Sequence, residues 1–282
     1  MGSGSFSSRS YAMYNTSLGR TVDKGTGRVS GQEYTASKMD SKLDPKNVMR
    51  ECCNTEEHPN TIPVILALDV TGSMGAACKE TAAALGVIMT DLYTKFKDVQ
   101  IMVMGIGDLA YDHSPIQISQ FESDVRIAEW LDKIWMEHGG GGNGYESYTA
   151  AWYMGVRHCK LDCWKQGRKG IIITMGDEPL NPYLPYRELS QVTGDSLERS
   201  VETPELYSQA LNKFDIFHIS INDPSSSYAW YKNSIDSSFK KVLGQRYLIS
   251  TINELGKKIC DCIQASVENS DIPETTKNGI SW

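Results

Sequence analysis

Ile62-Pro63-Val64-Ile65-Leu66-Ala67-Leu68 runs straight into Asp69-Val70-Thr71-Gly72-Ser73-Met74-Gly75, and the reading of this stretch decides the fold. A short, unbroken apolar run closed by turn formers reads as a strand buried on both faces, the kind that sits in the middle of a parallel sheet. Asp69 ends that strand. Behind it, Asp69, Thr71 and Ser73 place oxygen-bearing side chains at alternate positions around Gly72, just past the strand's carboxyl end and ahead of a long helix-forming segment. One carboxylate and two hydroxyls so placed suit a hard divalent cation. Short polar residues also make turns and cap helices, so the motif has to be weighed with the rest of the chain.

With 282 residues, 40% hydrophobic and 22% charged, the chain has the composition of one large α/β domain with an appendage. No apolar segment approaches the ~20 residues needed to cross a bilayer. A formal charge of -7 and the lack of a basic stripe argue against a nucleic-acid surface as the main business. Seven cysteines, odd in number and with no secretory signal ahead of them, read as reduced thiols of a cytoplasmic protein. His158, Cys159 and Cys163 could begin a zinc site, but a structural zinc wants four ligands. Cys260 and Cys262 are too close together to supply the missing pair, so ordinary thiols are the reading.

Residues 1–59 are rich in Ser, Gly, Thr and Asn and show no sustained periodicity. They read as a partly ordered, irregular arm without a core of its own, docking on the domain or on a partner through Tyr11, Tyr14 and Tyr34. From 60 to 270, strands and helices alternate. A helix over 76–96 with Leu85, Ile88, Met89 and Leu92 on one face, followed by the buried strand Val99-Gln100-Ile101-Met102-Val103-Met104, makes a βαβ unit and hence a parallel sheet. Further helices are expected over 124–136, 147–158, 186–192, 204–213 and 252–267. Further strands are expected at Ile171-Ile172-Ile173-Thr174, at Phe214-Asp215-Ile216-Phe217-His218-Ile219-Ser220-Ile221 and at Tyr247-Leu248-Ile249. His218 reads as a core histidine, and Asp108, Asp112 and His113 as an ordinary polar loop after the second strand rather than as ligands. Residues 271–282 read as a polar tail.

Two more stretches bear on the site. His138-Gly139-Gly140-Gly141-Gly142-Asn143-Gly144-Tyr145-Glu146-Ser147 feeds a helix, and its bare N–H groups could cradle a phosphate. No Gly-Lys-[Ser/Thr] follows, however, and no Gly-x-Gly-x-x-Gly opens the first βα turn, which leaves a nucleotide site weakly supported. Lys169-Gly170-Ile171-Ile172-Ile173-Thr174-Met175-Gly176-Asp177-Glu178 is a buried strand that again ends in a carboxylate. In an open α/β sheet such strand ends face one crevice.

Together, Asp69-x-Thr71-x-Ser73, the glycine-rich loop with Glu146, and the strand-end Asp177 resemble, in order and spacing, the three motifs of the metal-ion-dependent adhesion site in von Willebrand factor A domains, in their Asp-x-Thr-Gly-Ser-Met variant. The resemblance implies an α/β fold with a doubly wound, mostly parallel sheet flanked by helices over 60–270. It also implies a Mg2+ ion, with Mn2+ or Ca2+ as alternatives, at Asp69, Thr71 and Ser73, with Asp177 in contact directly or through water. Where many relatives place a metal-binding Thr in the second motif, this chain offers Asn143, Glu146, Ser147 and Thr149. In the third, Gly176-Asp177-Glu178 replaces the commoner Thr-Asp-Gly.

No nucleophile with a base accompanies the aspartates, and Ser73 lacks the first glycine of a Gly-x-Ser-x-Gly elbow, Thr71 standing in its place. The expectation is a metal-dependent protein-interaction module that is not an enzyme. Intracellular bacterial and phage proteins of the family it resembles often act beside a MoxR-type AAA+ ATPase. The resemblance therefore implies an adaptor in such an assembly, met by a partner's carboxylate at the metal edge. The alternatives are an assembly protein tied together by its N-terminal arm and a metal-dependent hydrolase.

Overall fold

The computed structural model of the protein describes residues 4–31, 36–137, 142–224 and 226–268; the expected tail over 271–282, Tyr34 and the run 138–141 lie outside them. Six strands form the main sheet: β1 (Ile62–Asp69), β2 (Val99–Ile106), β3 (Ile116–Glu122), β4 (Gly170–Gly176), β5 (Phe214–Ile221) and β6 (Tyr247–Ser250). Their order is β6-β5-β4-β1-β2-β3. All neighbours run parallel except β2 and β3. Every residue of β2, β4 and β5 is buried, and strands with no polar face need cover on both sides.

Helices supply that cover. They are α1 (Ser8–Ser17), α2 (Gly75–Lys95), α3 (Arg126–Lys133), α4 (Thr149–His158), α5 (Tyr186–Thr193), α6 (Thr203–Ala210), α7 (Tyr228–Leu243) and α8 (Leu255–Glu268). Leu66, Val103 and Ile173 of the sheet pack with Met89 of α2, Leu131 of α3 and Ile263 of α8. Their strand neighbours Ile65, Met104 and Ile172 point the other way, to Trp152 of α4, Leu206 of α6 and Phe239 of α7. Alternation along each strand thus splits one sheet between two cores. The fold is the expected doubly wound α/β arrangement.

Neither β3 nor α7 was foreseen. β3 reads apolar, polar, apolar, the pattern of an antiparallel strand, but its Gln117, Ser119 and Glu122 are buried as well. Tertiary partners make that tolerable: the Gln117 side chain bonds the backbone of Trp135 twice, at 2.8 and 2.9 Å, and Arg50 donates to the Ile118 carbonyl at 3.0 Å. α7 was missed because its serine- and tyrosine-rich start hides the four-residue spacing of the buried Ile235, Phe239 and Leu243. The helix expected over 124–136 is shorter, and the last begins with a separate 3-10 turn, Ile252–Glu254.

The arm borrows the domain's core. Tyr11, on α1, is 3% exposed and belongs to the α2 side, where its hydroxyl donates to the Ala82 carbonyl at 3.1 Å. Tyr14 and Arg20 both reach Asp132 of α3, at 2.6 and 2.8 Å, and Arg28 reaches both oxygens of Glu80. Farther on, Arg50–Cys52 pairs in parallel with Cys159–Leu161. All seven cysteines are free, and no helix of the described residues is long and apolar enough to cross a membrane.

Candidate functional site

After β1 the chain turns to the α2 face, and after β4 it turns to the α6 face. Adjacent parallel strands that send their connections to opposite sides leave a crevice at their carboxyl ends. Leu68 pairs with Met175, so Asp69, the last residue of β1, and Asp177, one residue past β4, arrive side by side. Both are 0% exposed.

Their hydrogen bonds are all to uncharged donors. Asp69 Oδ1 accepts from the Thr71 N–H at 2.9 Å and from the Thr71 hydroxyl at 2.5 Å. Asp177 Oδ1 accepts from Ser73 Oγ at 3.0 Å and its Oδ2 from the Ser227 N–H at 2.5 Å. Asp69, Thr71, Ser73 and Asp177 therefore meet as their spacing implied. Burial, then the neighbouring charge of Asp177, pushes the Asp69 carboxyl up to about 7. Burial likewise raises Asp177 and Glu178, opposed by the hydrogen bonds that Ser227 donates to them.

Of the second-loop candidates, Glu146 feels the charge of Asp69. Burial raises its pKa, with Asp69, Asp112, Asp108 and Glu178 adding to the effect, and its buried Oε2 has no hydrogen-bond partner. The other three are turned to different tasks. Asn143 Oδ1 accepts from the Tyr145 N–H at 3.4 Å, Ser147 Oγ accepts from the Leu109 N–H at 3.0 Å, and Thr149 Oγ1 accepts from Asn181 Nδ2 at 2.6 Å.

Tyr148 was absent from the sequence reading, because an aromatic residue at a helix start carries no signal beyond packing. Its hydroxyl donates to Asp69 Oδ2 at 2.8 Å and accepts from the Glu178 N–H at 3.2 Å, so it ties the two strand ends together. Gly176 makes the room: a methyl there would land on the phenol oxygen.

Carboxylates collected in a buried crevice without a basic partner are costly. Two carboxylates with hydroxyls, all of them hard oxygen donors, fit a small divalent cation, and the unpartnered Glu146 oxygen adds to the case. Among the described residues no three His, Cys, Asp or Glu side chains form a ready cage, so hydroxyls and solvent would have to complete the coordination.

No protein-family profile and no curated protein matches the chain. It is similar to solved structures. The pilus adhesin SpaC from Lactobacillus rhamnosus GG, in its open conformation, aligns at TM-score 0.48 and 11% identity over 78% of this chain and 31% of that one. The vWF domain of the type V pili tip protein Mfa5 from Porphyromonas gingivalis gives 0.45 and 12%, over 77% and 98%. The SpRpn10 VWA domain gives 0.44 and 11%, over 70% and 95%. The chain thus spans less than a third of the SpaC chain.

Proposed function

We propose that the chain is a cytoplasmic docking module of the von Willebrand factor A type, which grips a protein partner through a divalent cation at the carboxyl-terminal edge of its sheet. The observation that carries this reading is the meeting of Asp69 and Asp177 at the switch point with only hydroxyl and N–H groups as their hydrogen-bond donors. Asp69, Ser73 and Asp177 would hold the ion, Mg2+ in cells, with Thr71 fixing the Asp69 carboxylate. Bound there, the ion neutralises buried carboxylates and offers a coordination position to an acidic side chain of the partner, a contact that strengthens where solvent is excluded. Trp230 and Tyr231, 84% and 56% exposed, stand on the first turn of α7 just past Ser227, and aromatic residues of this kind are favoured in interface cores.

The reading is one of binding without turnover. His218, whose ring meets Tyr148 edge-on, is 0% exposed, stacked on Phe239 and bonded to Thr174, which removes it from acid-base work at the crevice. A MoxR-type AAA+ ATPase, the partner that the family resemblance implies, is the first to test. Wild type, Asp69→Ala and wild type in chelator are compared for capture of a purified partner, with folding followed by circular dichroism. Capture should be lost in the last two with the spectrum unchanged. Equal capture in all three overturns metal-dependent docking.

A further inference from the structure

At the far end of the sheet from the aspartates, where β1, β2, β4 and β5 begin, lies a cleft of about 640 Å³ whose lining is basic. Four cations, Lys97, Arg168, Lys169 and Arg246, stand there against two carboxylates, Asp98 and Asp215. Both carboxylates are already engaged. Asp215 is bonded to Arg246 and to the Ser266 hydroxyl, and Asp98 to the His58 ring and the Asn60 N–H. Lys97, Arg168 and Lys169 are left over. Among the described residues none of these three has a carboxylate within ion-pair distance.

Arg168 is not a loose surface charge. The chain reaches it through Gly167, in the left-handed region at φ 71°, and its guanidinium is held in place. Nη1 donates to the Thr61 carbonyl at 3.2 Å and to the Asn60 carbonyl at 3.5 Å, and Nη2 donates to the Gln166 side chain. All three acceptors are neutral, so they aim the group without cancelling its charge. Lys97 enters from the turn before β2 and Lys169 from the residue before β4, both exposed. On a chain of formal charge -7, three uncompensated cations around one hollow make a local field that favours an anion.

We propose that this cleft binds a small ligand carrying a polyphosphate chain, of the size of a nucleoside di- or triphosphate. The arginine fork matches paired phosphate oxygens, and the lysines add point charges that can follow a chain of phosphates. The cleft has the volume of a small-molecule pocket, and Ile62, Ile171 and Val267 give it an apolar wall for the uncharged part of the ligand. An acidic peptide is the poorer fit. To answer three cations it must bring several acidic residues at ~3.3 Å per residue of extended chain, each with a main-chain N–H and C=O that need partners of their own. The site is built from side-chain charge at the amino-terminal end of the sheet, and it stands whether or not the metal edge docks a partner.

The test is calorimetric titration of the protein in chelator, which keeps the metal edge empty, with inorganic tripolyphosphate and with ATP. Wild type should bind one tripolyphosphate, and ATP at least as tightly, since the nucleoside adds contact with the apolar wall. Arg168→Gln should weaken both by ~10-fold or more. Lys97→Gln and Lys169→Gln should each weaken them by ~3-fold; both lysines are exposed, so the test survives if Arg168→Gln fails to fold. Lys79→Gln, which removes the same charge from the exposed side of α2, should change nothing. A wild type that binds neither probe, an equal loss in Lys79→Gln and Lys97→Gln, or an oligoglutamate that binds as tightly as tripolyphosphate overturns the proposal. None of these outcomes bears on the docking reading, whose ion is withheld throughout.

Discussion

The two ends of the parallel strands treat charge in opposite ways. At the amino-terminal end, beside Ile62 and Ile171, a cleft of about 640 Å³ is lined by Lys97, Asp98, Arg168, Asp215 and Arg246, and its acids are paired. Asp215 meets Arg246 at 3.0 Å and the Ser266 hydroxyl at 2.8 Å. Asp98 meets the His58 ring at 3.3 Å and the Asn60 N–H at 3.1 Å. At the carboxyl-terminal end Asp69, Asp177, Glu178 and Glu146 face one another with no lysine or arginine among the groups that act most strongly on them. Paired charges settle their own electrostatics and hold segments in place. Gathered like charges lower stability, which makes them candidates for a ligand site rather than for scaffold.

The sharpest way to break this contrast is to remove one acid from each end. Asp69→Ala should weaken Mn2+ binding by ~100-fold or more. Asp215→Ala should leave the ion affinity nearly unchanged and lower the unfolding midpoint by a few degrees, the cost of one partly exposed ion pair at about 1 kcal/mol or less. If titration calorimetry shows Asp215→Ala losing the ion as Asp69→Ala does, the two ends are not different in kind.

A second way is pH. The folded state holds the Asp69 proton more tightly than an unfolded chain does, up to about 7. Without metal, this group's contribution to stability is therefore full in acid, below the ordinary carboxylate range, and is lost as pH rises from there towards about 7. An ion must displace the same proton, so its affinity should rise by up to ~10-fold per pH unit as pH climbs towards 7, and then level. A dissociation constant that stays flat over that range would place Asp69 outside the ion's reach.

The smallest effect is expected from Tyr148→Phe. The phenol hydrogen bond favours the charged Asp69, so its loss should raise the carboxyl's proton affinity and weaken the ion by about 10-fold near pH 6. At pH 8, where the proton is already gone, the deficit should shrink. A deficit of equal size at both pH values would mean that Tyr148 acts by shape alone.

Much of this was legible in the chain. Val64-Ile65-Leu66-Ala67-Leu68 and Ile171-Ile172-Ile173 announce strands with no wet face, and Asp69-x-Thr71-x-Ser73 is a local device: Thr71 needs only to fold back two residues to bond Asp69. β3 was not legible, because Gln117 is tolerable in the interior only once Trp135 is there to meet both ends of its amide. Asp108 was read as an ordinary loop residue for a related reason, since nothing near it in sequence says that its Oδ2 will be left without a donor.

What the sequence determined by itself is what neighbours along the chain decide: the periodicities that make strands and helices, the aspartates that end β1 and follow β4, and the short turn that presents Thr71 and Ser73. The tertiary structure alone decided which polar groups would be satisfied. Tyr148 became a bridge between Asp69 and Glu178, Thr149 went to Asn181, and Glu146 was left without a donor for Oε2. The physical reason is range: backbone preference and hydrophobic period act over a few residues, whereas burial and the charges of other loops exist only after distant segments have packed.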